Sequence, residues 1–308
     1  MRVVALAGGT GAAKLLRGLA TCMAPRDLTV IGNTGDDTEV WGLHISPDLD
    51  TVTYALAGLL DVERGWGLAG ETFNCLAAMA AHGADTWFNL GDRDLATHLT
   101  RTRALRDGQP LSAVTARLAA DLGVTARILP MSDEPVRTMI RTPGGRLTFQ
   151  EYFVREKALV EIVGVDYEGA PSARPAPGVL DALESAERIV VCPSNPVVSI
   201  GPLLAVPGVR EALLAARQRT VAVSPIVAGT ALKGPADRLM AELGTESSVV
   251  GVARLYSGWV GTLVIDTADL QHVAGVEAEG MRCVVAPTVM SSPERAAQLA
   301  RVVIDVVA

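Results

Sequence analysis

Hydrophobic and polar positions fall into blocks along most of the chain, short apolar runs followed by longer stretches with helical spacing. The runs Arg2–Ala7, Leu28–Ile31, Ala126–Leu129, Arg188–Cys192, Val221–Val223, Leu263–Ile265 and Cys283–Ala286 read as strands by length and β-branched content. Helices are predicted over Ala12–Met23, where Leu15, Leu16 and Leu19 share a face, and over Val52–Leu60, Pro110–Leu122 and Pro293–Val307. Pro235 is placed to open another. Trp87–Leu90 reads as a short strand, and Val136–Thr142 with Arg146–Val154 as a hairpin turning at Pro143-Gly144-Gly145. The hairpin breaks the strand-helix alternation, which resumes at Arg188 after a Pro- and Ala-rich crossing loop, Glu168–Gly178. The predicted class is α/β: a doubly wound, mostly parallel sheet from residues 1–44 and 186–308, with a mixed helical and hairpin lobe, 45–185, inserted.

Composition narrows this. Hydrophobic residues make up 49% but aromatics only 4%, so Ala, Val and Leu carry the packing, as in parallel sheets covered by helices on both faces. A net charge of −7 argues against sequence-independent nucleic-acid binding. The four cysteines form no CxxC pair, which points to a reduced, cytoplasmic protein. Glycines and Lys14 interrupt the first apolar run, and no stretch of about 18 uncharged apolar residues follows, so neither secretion nor a membrane span is expected.

Candidate chemistry starts at the first strand-to-helix junction. Gly8, Gly9, Thr10 and Gly11 lead into a helix start, where residues without a Cβ let backbone NH groups approach a ligand and the helix dipole favours an anion. A dinucleotide fingerprint would need glycine at Lys14. A P-loop accepts Lys14 but has Leu15 where a Ser or Thr should hold magnesium. The junction therefore suits phosphate without matching either motif, and Lys14 can set an ammonium on it.

Further loops add polar groups at strand ends, where ligands collect in doubly wound sheets. The second strand ends in Asn33-Thr34-Gly35-Asp36-Asp37, with Asn33 where a nicotinamide enzyme usually has a ribose-binding acid. Asp48 and Asp50, in Ile45–Thr51, suit either a helix cap or a divalent cation shared with phosphate. Trp41, Trp66, Trp87, Phe73 and Phe88 cluster in one segment and suggest a flat apolar pocket or a local core. Asp92, Arg93 and Asp94 precede a helical stretch, where acids also serve as caps. Ser194, Asn195 and Ser199 in a proline-rich loop offer uncharged hydrogen-bonding groups suited to a nucleotide. The four histidines show no metal-ligand spacing.

Taken in order, GGTGAAKLL from Gly8, NTGDD from Asn33, ISPDLDT from Ile45, GDRDLATH from Gly91, LPMSDEPV from Leu129, PSNPVVSIGP from Pro193 and KGPADRL from Lys233 resemble the 2-phospho-L-lactate transferase family of deazaflavin coenzyme F-420 biosynthesis. The resemblance spans nearly the whole chain, with Ala228-Gly229 where members commonly have Gly-Gly. It implies a Rossmann-like core, a homodimer and magnesium as cofactor. The implied reaction moves a phosphorylated three-carbon acid from a diphosphoguanosine donor onto the ribityl hydroxyl of the deazaflavin Fo and releases GMP.

The resemblance also implies site residues. Deazaflavin binding falls to Asp50 and Arg93 with Asp48 and Asp92 beside them, which makes 45–185 the deazaflavin lobe. The guanine nucleotide falls to Gly8, Gly9, Thr10, Gly11, Lys14, Ser194, Asn195, Ser199, Gly201 and Lys233. Catalysis is assigned to Asp50 and Lys14, and metal binding to Asp37 and Asp50. Two other classes stay open: a non-catalytic regulator of the same superfamily that binds nucleotide sugars, and a nicotinamide oxidoreductase, which Lys14 and Asn33 disfavour.

Overall fold

A computed structural model describes residues 1–306. Its centre is a seven-stranded, all-parallel sheet: β1 (Val3–Ala7), β2 (Leu28–Gly32), β3 (Arg127–Pro130), β4 (Arg188–Val191), β5 (Thr220–Val223), β6 (Thr262–Ile265) and β7 (Arg282–Val285). In space they run β7, β6, β5, β4, β1, β2, β3. The strand order reverses between β1 and β4, where Leu6 lies beside Val191, while Ala7 lies beside Gly32 on the other flank. Such a reversal splays the connecting loops apart and opens a crevice at the carboxyl ends of the strands. The class is the doubly wound α/β architecture expected.

All seven strands of this sheet match apolar runs in the sequence. Buried on both faces, they need no polar alternation, and β1, β5 and β6 are buried throughout. One face is covered by α1 (Gly9–Cys22), α2 (Pro47–Leu56) and the closing helix Pro293–Asp305, around Leu15, Leu16, Leu19, Val52 and Leu299. Burial of each such side chain stabilises by roughly 1.5–3 kcal/mol relative to exposure. At Gly18 a Cβ would run into the Ala296 backbone, so a residue without one sets how closely α1 meets the closing helix. Val307, predicted as the end of that helix, lies outside the described residues. The opposite face is covered by helices Val179–Ser185, Val209–Ala215 and Val249–Tyr256.

The segment 45–185 is woven into the core: β3 is the sheet's edge strand, and α2 packs on α1. Its hairpin, Arg137–Thr142 with Gly145–Thr148, gains a third antiparallel strand, Gly164–Glu168. The hairpin's second strand ends at Thr148, where Thr148 N and Oγ1 donate to Glu151 Oε2 and the chain turns into a π-helical segment, Glu151–Arg155. Ile140, Phe149 and Tyr152 pack with Val198 and Leu239, tying this lobe to the core. Trp87–Leu90 is irregular rather than a strand; Trp87 and Phe88 meet edge to face, and Leu90 fills a small cluster with Val40 and Ile45. Among the described residues no single helix is long and apolar enough to cross a membrane.

Candidate active site

A cavity of about 840 Å³ lies over the switch point. Residues after β1, β2, β4, β5 and β7 line one side, and α2, the helix Asp94–Arg106 (here α3) and the hairpin lobe line the other. Its floor is the glycine loop. Gly9 has φ +74°, a left-handed conformation that L side chains rarely adopt. A Cβ on Gly8 would fall 2.7 Å from Ser199 Cβ and 2.9 Å from Asp48 Oδ2, and one on Gly11 would collide with the Pro193 carbonyl. These glycines let α1 start against the β4 loop with its first NH groups at the cavity.

Asp48 holds this floor together. Gly9 N donates to its Oδ1 at 2.7 Å, and Asn33 Nδ2 donates to its Oδ2 at 2.8 Å. Asn33 Oδ1 in turn accepts from Gly35 N at 2.8 Å. Asn33 is thus a strut between β2 and α2. Burial raises the Asp48 carboxyl to about 6, with Asn33 and Gly9 drawing it down and Asp37 adding to the rise. Burial first, then the charge of Asp48, pushes the Asp36 carboxyl well above its ordinary value. Asp36 lines the cavity, and its Oδ1 is buried without a hydrogen-bond partner.

The same cavity carries the cations and amides expected for phosphate. The Lys14 ammonium lines the cavity and makes no hydrogen bond or ion pair among the described residues. Lys233 Nζ lies 3.5 Å from the Arg64 carbonyl. In the β4 loop, Ser194 Oγ accepts from Gly8 N at 3.3 Å. Asn195 Oδ1 accepts from Val197 N and Val198 N, while its Nδ2 is buried and unpartnered.

Four aromatic side chains, Trp66, Phe88, Phe149 and Phe153, also line the cavity, and the last two stack at 5.5 Å with 7° between their planes. The Arg64 guanidinium lies 5.3 Å over Trp66. Sequence reasoning found Trp66 and Phe88 but missed Phe149 and Phe153, whose spacing of four residues on a turn was the available signal.

A buried polar cluster also borders the cavity. α2 begins at Pro47, five residues before the apolar periodicity, so Asp48 and Asp50 sit in its first turn. Arg101 donates to both oxygens of Asp50, at 3.0 Å to Oδ2. Burial lifts the Asp50 carboxyl, against the pull of Arg101 and then His98. His98 Nδ1 is 3.7 Å from Asp50 Oδ2, and its Nε2 is 3.4 Å from Asp94 Oδ2. Tyr54 donates its hydroxyl to Asp94 Oδ1 at 2.5 Å. Asp50, Tyr54, Asp94 and His98 all line the cavity. Sequence reasoning missed Tyr54 and His98, although i, i+4 spacing of Asp50 with Tyr54 and of Asp94 with His98 puts each pair on one helix face.

Of the residues named from sequence, Gly8, Gly9, Thr10, Gly11, Lys14, Asp48, Asp50, Ser194, Asn195, Ser199 and Lys233 come together on this cavity. Four do not line it. Asp92 accepts from Thr72 Oγ1 at 2.6 Å and, at the start of the helix Asn74–Ala81, from Cys75 N at 2.8 Å and Asn74 N at 2.9 Å; the Thr72 hydroxyl first, then these two NH groups, hold its carboxyl down at about 2. The exposed Arg93 donates to the Ala69 carbonyl at 2.9 Å. Gly201 gives room to the Tyr167 hydroxyl. Asp37 Oδ2 is held by His44 Nε2 at 2.9 Å and by Ser46 Oγ at 2.8 Å.

No group of three or more His, Cys, Asp or Glu able to hold a metal occurs among the described residues. The pair named for a metal fits one poorly, since Asp50 is closed by Arg101 and Asp37 lies off the cavity. Asp36 fits better: a magnesium ion takes one or two carboxylates and completes its shell with water and substrate phosphate.

The family model of 2-phospho-L-lactate transferase CofD matches residues 3–295. The chain belongs to this family. It is 48% identical over 307 residues to a phosphoenolpyruvate transferase of Streptomyces griseus subsp. griseus, with 98% of this chain and 96% of that one covered. It is 40% identical over 303 residues to a 2-phospho-L-lactate transferase of Methanosarcina mazei, covering 98% and 99%. A solved UPF0052 family protein of Bacillus halodurans shares the fold, with a TM-score of 0.64 at 18% identity over 99% of this chain and 98% of that one. Membership in the transferase family makes this chain an enzyme, which sets aside the regulator and the oxidoreductase.

Proposed function

We propose that this family member transfers a phosphorylated three-carbon acid, 2-phospho-L-lactate or phosphoenolpyruvate, from a diphosphoguanosine donor to the ribityl hydroxyl of the deazaflavin Fo, releasing GMP in coenzyme F-420 biosynthesis. The observation that carries the reading is one cavity lined by a phosphate cradle with Lys14, by the stacked rings of Phe149 and Phe153 and by the buried carboxylate of Asp50. The donor's phosphates belong on the α1 start with Lys14, and its nucleoside along the β4 loop. The flat ring belongs against Phe149 and Phe153, with its ribityl hydroxyl at Asp50.

Attack is in line: the hydroxyl oxygen bonds to the phosphorus bearing the three-carbon acid, and the bridging oxygen departs with GMP. Lys14 and the loop NH groups hold the charge developing on phosphate. Asp50, with both oxygens fixed by Arg101, keeps lone pairs free to accept the hydroxyl proton. Magnesium held by Asp36 and the phosphates would neutralise charge on the transferred and leaving groups.

Incubating the enzyme with Fo and the lactyl, enolpyruvyl or glyceryl donor in turn, with mass spectrometry of the product, tests this. One donor should yield the phospho-linked deazaflavin and equal GMP, with EDTA stopping turnover and magnesium restoring it. Failure with every donor would remove the proposed reaction, and full turnover in EDTA would remove the metal.

A further inference from the structure

We propose that Gln150 is a specificity-determining residue for the flat ring, its side-chain amide pairing with an imide edge, O=C–NH–C=O, of the bound heterocycle, an inference that rests on the deazaflavin reading above. Gln150 has helical backbone angles, φ −67° and ψ −38°, on the turn that leads into the π-helical segment Glu151–Arg155. Residues three and four apart on such a turn share a face. Phe149, Gln150, Phe153 and Val154 all line the cavity, whereas Tyr152 packs away from it with Ile140 and Val198. The face this turn gives to the cavity is therefore apolar but for one amide.

That amide is unpaired. Gln150 is only 7% exposed, yet its side chain makes no hydrogen bond among the described residues. Polar neighbours on the same turn are satisfied: Thr148 N and Oγ1 donate to Glu151 Oε2 at 2.8 and 3.0 Å, and Arg155 Nη1 lies 3.0 Å from Glu151 Oε1. A primary amide carries two donors and an acceptor, and burying it without partners costs free energy that a ligand recovers by pairing with it.

Position and chemistry name the ligand group. A planar ring held against Phe149 or Phe153 covers them with its face and leaves its edge for hydrogen bonds. An amide that donates from Nε2 and accepts at Oε1 matches an edge with a carbonyl beside an N–H, in the two-bond manner of Gln on adenine. The pyrimidinedione of a deazaflavin has this edge, with N3–H between two carbonyls. A neutral amide also adds no charge to a cavity already lined by Asp36, Asp48 and Asp50. Guanine carries a similar edge, but in this reading the nucleotide lies along the glycine and β4 loops, on other elements.

The test is calorimetric titration of Fo, N3-methyl Fo and GDP into the full chain, as wild type and as Gln150→Met, which keeps the side chain's length without its amide. Gln150→Met should weaken Fo roughly 10- to 100-fold, and N3-methylation should weaken Fo for wild type by a similar factor. In Gln150→Met the methyl should cost less than about 3-fold, because the contact it blocks is already gone. GDP should bind both proteins within about 2-fold. Equal affinity of the two proteins for Fo would overturn the proposal, as would a methyl penalty undiminished in the variant. A loss confined to GDP would give the amide to guanine and overturn it too.

If Gln150→Met does not fold, as judged by its melting curve, NMR of wild type with isotope-labelled Fo decides instead. An N3 imino proton shielded from exchange and close to the Gln150 amide protons supports the proposal, and one exchanging as in free Fo overturns it. A wild type that binds no Fo fells the deazaflavin reading together with this inference, whereas one that binds Fo without the amide fells this inference alone.

Discussion

Asp50 shows how a partner changes what a residue can be used to test. As a helix cap it would tolerate Asn, since Asn caps as well as Asp. In the fold it lies inside the first turn of α2 and pairs with a buried arginine, so Asp50→Asn leaves the guanidinium uncompensated. Breaking such a pair costs about 3 kcal/mol or more. The expected outcome is a drop in turnover of roughly 10² or more together with a lower melting temperature. A calorimetric scan beside the transfer assay checks both, and unchanged turnover would take Asp50 out of the chemistry. Asp48 gives a pH prediction. Its carboxyl titrates near 6 when folded, against about 3.9 in an unfolded chain. The folded state therefore binds the extra proton, and this contribution to stability is full below about 4 and lost as pH rises through 6. Asp92 acts in the opposite sense in a lower window: its depressed carboxyl contributes stability above about 4 that is lost as pH falls toward 2. Thermal melts from pH 4 to 7 should show wild type losing stability relative to Asp48→Asn as pH rises.

At the scale of elements, the glycine loop is two constraints in one. Gly11 is needed because the Pro193 carbonyl presses on it, while Gly9 is needed only for its positive φ, with open space where a Cβ would go. Gly11→Ala should therefore destabilise by about 1–3 kcal/mol through a backbone clash. Gly9→Ala should cost about 1–2 kcal/mol through backbone strain. Denaturant melts rank them, and a milder effect at Gly11 would mean that α1 can withdraw from the β4 loop. The strands around this loop were legible because a parallel strand covered on both faces is an unbroken apolar run. Less was legible where a tertiary contact overrides local pattern. The start of α2 at Pro47 carries buried Asp48 and Asp50, which break the apolar periodicity, so periodicity alone predicts a helix only from Val52. The strand Gly164–Glu168 holds Asp166 and Glu168 and depends on pairing with Arg137–Thr142. The contacts of Asp92 with the start of Asn74–Ala81 join residues 18 apart, which local pattern does not show.

For the whole molecule, the candidate site was visible as separate loops before it was visible as a place. Motif order placed Lys14, Asp48, Asp50 and Ser194 among the ligand-binding residues, and the strand order brings them together over one crevice. Phe149, Phe153 and the Tyr54–Asp94–His98 cluster reach it from separate elements, where no local spacing announces the meeting. The central claim is that this cavity divides its labour, phosphate at the α1 start and a flat ring against Phe149 and Phe153. Calorimetric titration of GDP and of Fo into wild type, Lys14→Ala and Phe153→Ala tests that division. Lys14→Ala should weaken GDP by roughly 1.5–3 kcal/mol, the worth of a charge-assisted contact, and leave Fo nearly unchanged. Phe153→Ala should do the reverse, and equal loss of both ligands in both variants would contradict the account.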